Sequence, residues 1–223
     1  MNRHTDSAYE NELATLNSSF ALMGARAAGM VRDAVRSLFT RDPELGRKVV
    51  SLDAELDQLE KDTDRQCLVI LARRAPVGAD LRFVTSILKA TTDVERVGDL
   101  AVNVAERALE LMGEPGAAVV PDEQVQALAD GAIALLERSL HAFRTQDAPL
   151  ARQLIAEDRA IDALNRAAFH HILALTAAHP AELERGLALA SVCRYLERVG
   201  DHSANLCERA VFLVVGEDIR HLG

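Results

Sequence analysis

The sequence predicts an all-α protein made of two tandem three-helix bundles. Three observations lead to this class: long stretches without Pro or Gly, apolar residues that return at helical spacing, and a segment of the first half that recurs in the second half. The 223 residues contain 12 Gly, 6 Pro, no Trp and only 4% aromatic residues. Sandwiches and barrels need more turns and favour aromatic cross-strand pairs, so a helical fold fits better.

Breaker segments divide the chain into six predicted helices. They lie at residues 42–44, 75–78, 113–121, 146–149 and 179–180. The first of them, Asp42-Pro43-Glu44, combines an N-cap, a first-turn proline and a first-turn acid, and so opens the second helix. The stretch 113–121 is the clearest linker, and we place the first bundle at residues 1–114 and the second at 115–223.

The two halves are related by an internal duplication. With a shift of 102 residues, Glu95-Arg96-Val97-Gly98-Asp99 falls on Glu197-Arg198-Val199-Gly200-Asp201, and nine of the 14 positions from 95 to 108 match. With a shift of 105, Asp53 and Asp57 fall on Asp158 and Asp162. The change of shift falls in the loop between the second and third helices, where insertions are best tolerated.

Composition and motifs exclude several function classes. The chain has 34 Asp+Glu against 25 Lys+Arg, a net charge of −9, which argues against a nucleic-acid binder. Its three cysteines show no disulfide or zinc spacing, so we expect a cytoplasmic protein. No apolar run approaches the roughly 20 residues of a membrane span. No nucleophile motif, phosphate-binding loop or dinucleotide fingerprint occurs, and we expect no enzymatic activity.

The acidic residues of the repeats follow one pattern, [DE]-x-x-x-D. It occurs four times at repeat-equivalent places: Asp53/Asp57, Glu95/Asp99, Asp158/Asp162 and Glu197/Asp201. Residues i and i+4 share a helix face, and like charges there destabilise a helix by about 0.2–0.5 kcal/mol. A cation such as Mg²⁺, Mn²⁺, Ca²⁺ or iron would offset this repulsion. The alternative is a solvated acidic flank paired with Arg65, Arg96 or Arg198.

Two further features bear on these acids. The Glu-x-x-His pairs of a ferritin-like di-iron bundle are absent from the six predicted helices, and His202, which directly follows Asp201, is expected to be a surface or packing residue. Gly98 and Gly200 stand inside helices, where Gly costs about 1 kcal/mol relative to Ala. They therefore predict close approach of a neighbouring helix in both repeats.

The repeated motifs resemble those of a known family. The stretch 75–82 (Ala-Pro-Val-Gly-Ala-Asp-Leu-Arg) followed by 93–99 (Asp-Val-Glu-Arg-Val-Gly-Asp), with Asn103 and Glu106, is similar to the signature of the PhoU family of phosphate-transport regulators. The second half repeats part of it in 195–201 with Asn205. The resemblance covers nearly the whole chain and includes its duplication.

This resemblance implies a pair of three-helix bundles, usually dimeric, that acts in the cytoplasm and catalyses no reaction. It implies contacts with the ATPase subunit of the phosphate ABC transporter and with the sensor histidine kinase of the phosphate response, which the family keeps off when phosphate is plentiful. It also implies metal binding by the eight acids of the [DE]-x-x-x-D motifs. A carboxylate-bridged metal hydrolase or oxidase and a metal-storage or purely structural bundle are the alternatives.

The two halves also differ in ways that affect these expectations. Asn165 and Phe169 stand where the first repeat has Glu60 and Asp64, so the second metal site should be the weaker one. The arginine of the signature, Arg82, has a glutamate at the equivalent position of the second half. Its role is therefore expected to be missing there.

Overall fold

The computed structural model describes residues 7–113 and 118–219, and the regular secondary structure in these ranges is helical throughout. The helices are α1 (Ser7–Thr40), α2 (Pro43–Ser51), α3 (Asp53–Arg74), α4 (Gly78–Gly113), α5 (Glu123–Thr145), α6 (Ala148–Ala178) and α7 (Leu183–Val215), with a 3₁₀ turn at Pro180–Glu182. Segments α2 and α3 occupy the place of the second predicted helix and are separated by Leu52 alone. The predicted order of six helices is thus confirmed, while the proposed boundary at 114/115 lies outside the described residues.

The predicted helix boundaries have identifiable local causes. The Asp42 carboxylate accepts the backbone N–H groups of Glu44 at 3.0 Å and Leu45 at 3.1 Å, which caps α2. Asp122 caps α5 in the same way. At the other end of α5, Gln146 adopts a left-handed conformation with φ of 55°, which ends the helix. Capping side chains and left-handed residues satisfy the free N–H and C=O groups that every helix end exposes.

Helices α4 and α7 run antiparallel and join the two repeats. Near one end of the pair, Arg82 of α4 donates through Nε to the carbonyl of Leu213 in α7 at 3.3 Å. Near the other end, Arg185 of α7 donates to the carbonyl of Leu111 in α4 at 2.7 Å. Leu111 and Leu213 are equivalent under the shift of 102, so the two contacts are related by a pseudo-two-fold axis. We expected the role of Arg82 to be missing from the second repeat. Arg185 fills it, one position after Glu184, the residue that the shift of 102 aligns with Arg82.

Glycines inside the helices allow close packing within each repeat. A Cβ atom at Gly98 of α4 would overlap the Leu56 side chain of α3. At Gly200 of α7 it would lie 3.1 Å from the side chain of Ile161 in α6. The predicted close approach of a neighbouring helix is confirmed in both repeats, and it brings α3 against α4 and α6 against α7.

A buried carboxylate lies at the centre of the contact between α4 and α7. Asp93 is 5% exposed and accepts from Arg209 Nε at 2.5 Å and from the Asn205 amide at 3.2 Å, and it lies 3.1 Å from His202 Nδ1. Burial raises the pKa of Asp93, but His202, Arg209 and Asn205 together bring it below its ordinary value. All three partners come from α7, and the repeat-equivalent position holds Tyr195. This contact is therefore specific to one side of the pseudo-two-fold axis.

Removal of Asp93 is expected to destabilise the whole chain. The variant Asp93→Ala leaves the Arg209 guanidinium partly buried and unpaired, and breaking such a pair costs about 3–5 kcal/mol. Urea unfolding of Asp93→Ala, Arg209→Ala and the double variant measures this coupling. The double variant should lose less free energy of unfolding than the sum of the single variants, and strict additivity would contradict the pairing.

Candidate metal centres

Each repeat gathers its predicted acids between two helices. Asp53 and Asp57 of α3 and Glu95 and Asp99 of α4 form what we call the first cluster. Asp158 and Asp162 of α6 and Glu197 and Asp201 of α7 form the second cluster. On each helix these acids flank an apolar stripe that is buried in the core, for example Leu56 in α3 and Val97 in α4. Helical periodicity therefore holds the carboxylates at the edge of the helix pair, next to the core.

Electrostatics shows that the flanks of α3 and α4 converge in the first cluster. Burial, followed by the charges of Asp57, Asp99 and Glu106, raises the pKa of Asp53. Burial and then the charge of Asp99 raise the pKa of Glu95, and Glu60 and Asp57 add to this effect. Because each helix raises pKa values on the other, the carboxylates face one another across the helix pair.

Further acids surround the first cluster, and the cations Arg96 and Lys61 lie beside it, with Lys61 Nζ 3.8 Å from Asp57. Burial raises the pKa of Glu60, helped by Asp64 and Asp57, and one carboxylate oxygen of Asp64 is buried without a hydrogen-bond partner. Arg96 lies 3.0 Å from Asp99 and 3.5 Å from Glu95, so part of the negative charge is locally paired. The pairing with Arg96 that the alternative interpretation anticipated is thus present, but it does not remove the excess of acids.

The second cluster has the most strongly shifted carboxyl group. Burial raises the pKa of Asp158 to about 6, and the charges of Asp201, Asp162 and Glu197 act in the same direction. The pKa values of Glu197 and Asp201 are also raised, in each case by burial first and then by neighbouring acids. Gly200 makes room for this arrangement, because a Cβ atom there would lie 3.0 Å from Asp158 Oδ1.

The two clusters fit a hard cation in chemistry, though not as closed coordination sites. Carboxylate oxygens are the ligands that Mg²⁺, Ca²⁺ and Mn²⁺ prefer, and the raised pKa values mark negative charge without full compensation. Within residues 7–113 and 118–219, no three His, Cys, Asp or Glu side chains are placed so that they could hold one ion as they stand. Carboxylates would have to rotate towards one another to close around a cation.

The three histidines nearest the repeated acids in the sequence, His170, His171 and His202, differ in their surroundings. His202 contacts Asp93 in the α4–α7 contact and is a packing residue, as expected. His170 is exposed, and His171 lies 2.8 Å from Asp122 at the start of α5.

Sequence reasoning missed Asp93 because it is not repeated, and missed Arg185 because its position requires a shift of 103. The α4 signature contained Asp93, but nothing in it indicated a partner on α7.

The fold and the site define a class: a duplicated three-helix bundle with one carboxylate cluster per repeat. The family model for the PhoU domain matches residues 20–108 and 125–210. The chain belongs to this family. No helix in the described ranges is long and apolar enough to cross a membrane.

Relatives and solved structures resemble the chain along nearly its whole length. A phosphate-specific transport system accessory protein PhoU homolog from Pseudomonas putida is 34% identical over 223 residues, covering 100% of this chain and 87% of the relative. A PhoU homolog 1 from Thermotoga maritima is 31% identical, covering 95% and 91%. The crystal structure of PhoU from Pseudomonas aeruginosa matches with a TM-score of 0.90 at 33% identity, covering 94% of this chain and 100% of that one.

Neutralising Asp158 is expected to stabilise the cation-free protein at pH values above the pKa of the Asp158 carboxyl. Because the pKa of about 6 in the folded protein exceeds the ordinary aspartate value of 3.8, the ionised form of Asp158 lowers the free energy of unfolding at high pH. This cost disappears as the pH falls from about 6 to about 4, where the carboxyl becomes protonated in the folded protein. With chelator present, Asp158→Asn should raise the melting temperature at about pH 8 and lose this advantage towards about pH 4. The exposed Asp130→Asn in α5 is the control, and equal gains for both would contradict the prediction.

Proposed function

We propose that this protein is an accessory regulator of phosphate uptake that keeps the phosphate-starvation response off when phosphate is plentiful. One observation carries the proposal: the duplicated PhoU domain fills the chain, and relatives aligned over all of it are named phosphate-specific transport system accessory proteins. The chain regulates and does not catalyse. The structure adds two acidic clusters at the helix pairs, held in a fixed relation by the contact between the repeats.

We further propose that the chain works as an adaptor between two partners, the ATPase subunit of the phosphate ABC transporter and the phosphate-sensing histidine kinase. An adaptor needs two contact surfaces. Leu81 is 40% exposed near the start of α4, and its repeat equivalent Leu183 is 53% exposed at the start of α7. Because α4 and α7 are antiparallel, these leucines lie at opposite ends of the molecule. This arrangement supports one partner at each end, and we propose that the chain meets both of them in the cytoplasm.

The regulatory role is tested by deletion and complementation. Loss of the gene should switch on phosphate-starvation genes in high phosphate, and the wild-type chain should switch them off again. Unchanged expression after deletion would contradict the regulatory role. Leu81→Glu and Leu183→Glu then test the adaptor: each should weaken copurification with one partner and spare the other. Two variants that keep both partners would refute the end surfaces but leave the regulatory role standing.

We also propose that the two clusters bind divalent or iron cations, such as Mg²⁺, Mn²⁺ or Fe²⁺. In the first cluster the ligands would come from Asp53, Asp57, Glu95 and Asp99. In the second they would come from Asp158, Asp162, Glu197 and Asp201. A bound cation would supply positive charge between the two helices of each pair. The raised carboxyl pKa values and the unpartnered Asp64 oxygen support this proposal.

Metal analysis after purification without chelator tests the clusters directly. We expect at least about one cation per chain, reduced in Glu95→Gln/Asp99→Asn and, to a smaller extent, in Glu197→Gln/Asp201→Asn, because the second cluster has fewer acids around it. Asp130→Asn is the matched control. Less metal than this, unchanged in both double variants, would remove the cation proposal. Phosphoester turnover with added Mn²⁺ that Asp99→Ala abolishes would instead support the hydrolase alternative.

A further inference from the structure

Two basic side chains lie against the acids of the first cluster. Arg96 donates through Nη1 to Asp99 Oδ2 at 3.0 Å, and its Nε lies 3.5 Å from Glu95 Oε2. On the facing helix, Lys61 Nζ lies 3.8 Å from Asp57 Oδ2. Side-chain cations therefore contact three of the four proposed metal ligands in this cluster.

The second cluster has basic residues at the equivalent positions without these contacts. Arg198 and Arg166 replace the arginine and the lysine of the first repeat. Both are exposed, and neither forms a salt bridge within the described ranges of the chain. Burial and neighbouring acids raise the pKa values of Glu197 and Asp201, and Arg198 opposes this only as the smallest contribution. The helical spacing is the same in both repeats, so spacing alone does not produce the contacts of the first cluster.

Additional acids in the first repeat account for this difference. Glu60 and Asp64 stand beside the first cluster, whereas Asn165 and Phe169 take their places in the second repeat. The first cluster is thus surrounded by two more acidic groups, and these attract basic side chains more strongly. The contacts of the two cations follow from this denser negative charge.

Glu60 gives Arg96 a second acidic partner on the facing helix. Burial, followed by the charges of Asp64 and Asp57, raises the pKa of Glu60. Arg96 acts in the opposite direction, so Glu60 lies within its electrostatic range. The Arg96 side chain is long and 54% exposed, so it can turn from one acid to the other without disturbing the core.

A side-chain cation and a metal ion compete for the same carboxylate oxygens. The guanidinium of Arg96 reduces the repulsion between Asp99 and Glu95 in the cation-free cluster. A divalent cation that binds these oxygens must displace the guanidinium, because the two positive charges would otherwise repel at short range. The metal affinity of the first cluster therefore depends on the free energy of displacing Arg96.

We propose that Arg96 is a built-in counter-cation of the first cluster. It pairs with Asp99 and Glu95 in the cation-free protein, and it moves towards Glu60 when a divalent cation takes these oxygens. This inference deepens the cation proposal for the clusters and rests on it. The exchange is confined to the first repeat, because the second has Asn165 at the position of Glu60. Cation binding at the first cluster thereby releases a positive side chain at the surface of the α3–α4 pair.

Titration calorimetry of the chelator-treated full chain with Mn²⁺ is the first test. The background Glu197→Gln/Asp201→Asn removes ligands of the second cluster and leaves the first intact. In this background, Arg96→Gln should tighten Mn²⁺ binding by about three- to tenfold, because it removes a unit charge beside the ion. Arg96→Lys keeps the charge and should stay closer to the background affinity than Arg96→Gln.

Arg198→Gln is the matched control in the second repeat. It is measured in the background Glu95→Gln/Asp99→Asn, which leaves the second cluster intact. Since Arg198 forms no salt bridge in the part of the chain that the structure describes, the variant should change the Mn²⁺ affinity by less than about twofold.

A double-variant cycle tests the movement towards Glu60. If Glu60 receives the displaced arginine, Glu60→Gln should weaken Mn²⁺ binding when Arg96 is present and have little effect beside Arg96→Gln. An acid that only attracts the metal would give the same loss in both cases. Equal losses would therefore overturn the exchange.

Melting temperatures give a readout that does not depend on measuring metal affinity. With chelator present, Arg96→Gln should lower the melting temperature more than Arg198→Gln, because the first cluster loses its counter-cation. Saturating Mn²⁺ should remove this difference, since the metal then supplies the positive charge. A difference that persists with Mn²⁺ would contradict the exchange.

The outcomes distinguish this inference from the cation proposal itself. An Mn²⁺ affinity that is unchanged in Arg96→Gln, or that changes as much in Arg198→Gln, would overturn the counter-cation while the metal sites stand. A wild-type chain that binds no Mn²⁺ would overturn the cation proposal together with the counter-cation. Circular dichroism confirms that each variant folds.

Discussion

The antiparallel contact between α4 and α7 is the constraint on which the rest of the structure depends. Asp93 is almost fully buried in it, and its partners His202, Asn205 and Arg209 come from the other repeat. Breaking such a contact leaves a buried charge unpaired, so the two repeats are not free to move as independent bundles. The same two helices carry one side of each carboxylate cluster. The position of both clusters relative to each other is therefore set by the α4–α7 contact.

The pseudo-two-fold axis explains why some equivalent positions have diverged. Arg32 and Glu137 are equivalent under the shift of 105 and form an ion pair with each other across the α1–α5 crossing. Two identical charges at these positions would repel, so a duplicated chain gains from opposite signs there. Asp93 and Tyr195 have also diverged: Asp93 contacts Arg209, Asn205 and His202 of α7, whereas Tyr195 offers no carboxylate to Asn103 and Arg107, the α4 equivalents of Asn205 and Arg209. Divergence at the axis thus converts a symmetric contact into a specific one.

Features that depend on local pattern or on repetition, such as helix ends and the flanks of the acids, could be predicted from the sequence. Breakers such as Asp42-Pro43 predicted helix ends because caps act within a few residues, and the glycine at 98 predicted close packing because it recurs at 200. The acids were predicted to share flanks, since helical periodicity decides this. Asp93 and Arg185 were not found, because their partners lie between about 70 and 115 residues away and on the opposite repeat.

The structure divides the acidic residues into two kinds with opposite responses to the environment. At the α4–α7 contact, the pKa of Asp93 is lowered by partners that the fold itself supplies, so this carboxylate is stable in its ionised form. In the clusters, burial and like charges raise the pKa values of Asp53, Glu95, Asp158, Glu197 and Asp201, so ionisation of these groups opposes folding until protons or cations reduce the repulsion. A cation would consequently act on the helix pairs α3–α4 and α6–α7 and leave the contact between the repeats unchanged. Because Asp93 fastens α4 to α7, a cation-driven change in these pairs would move α3 and α6 and leave the separation of Leu81 and Leu183 unchanged.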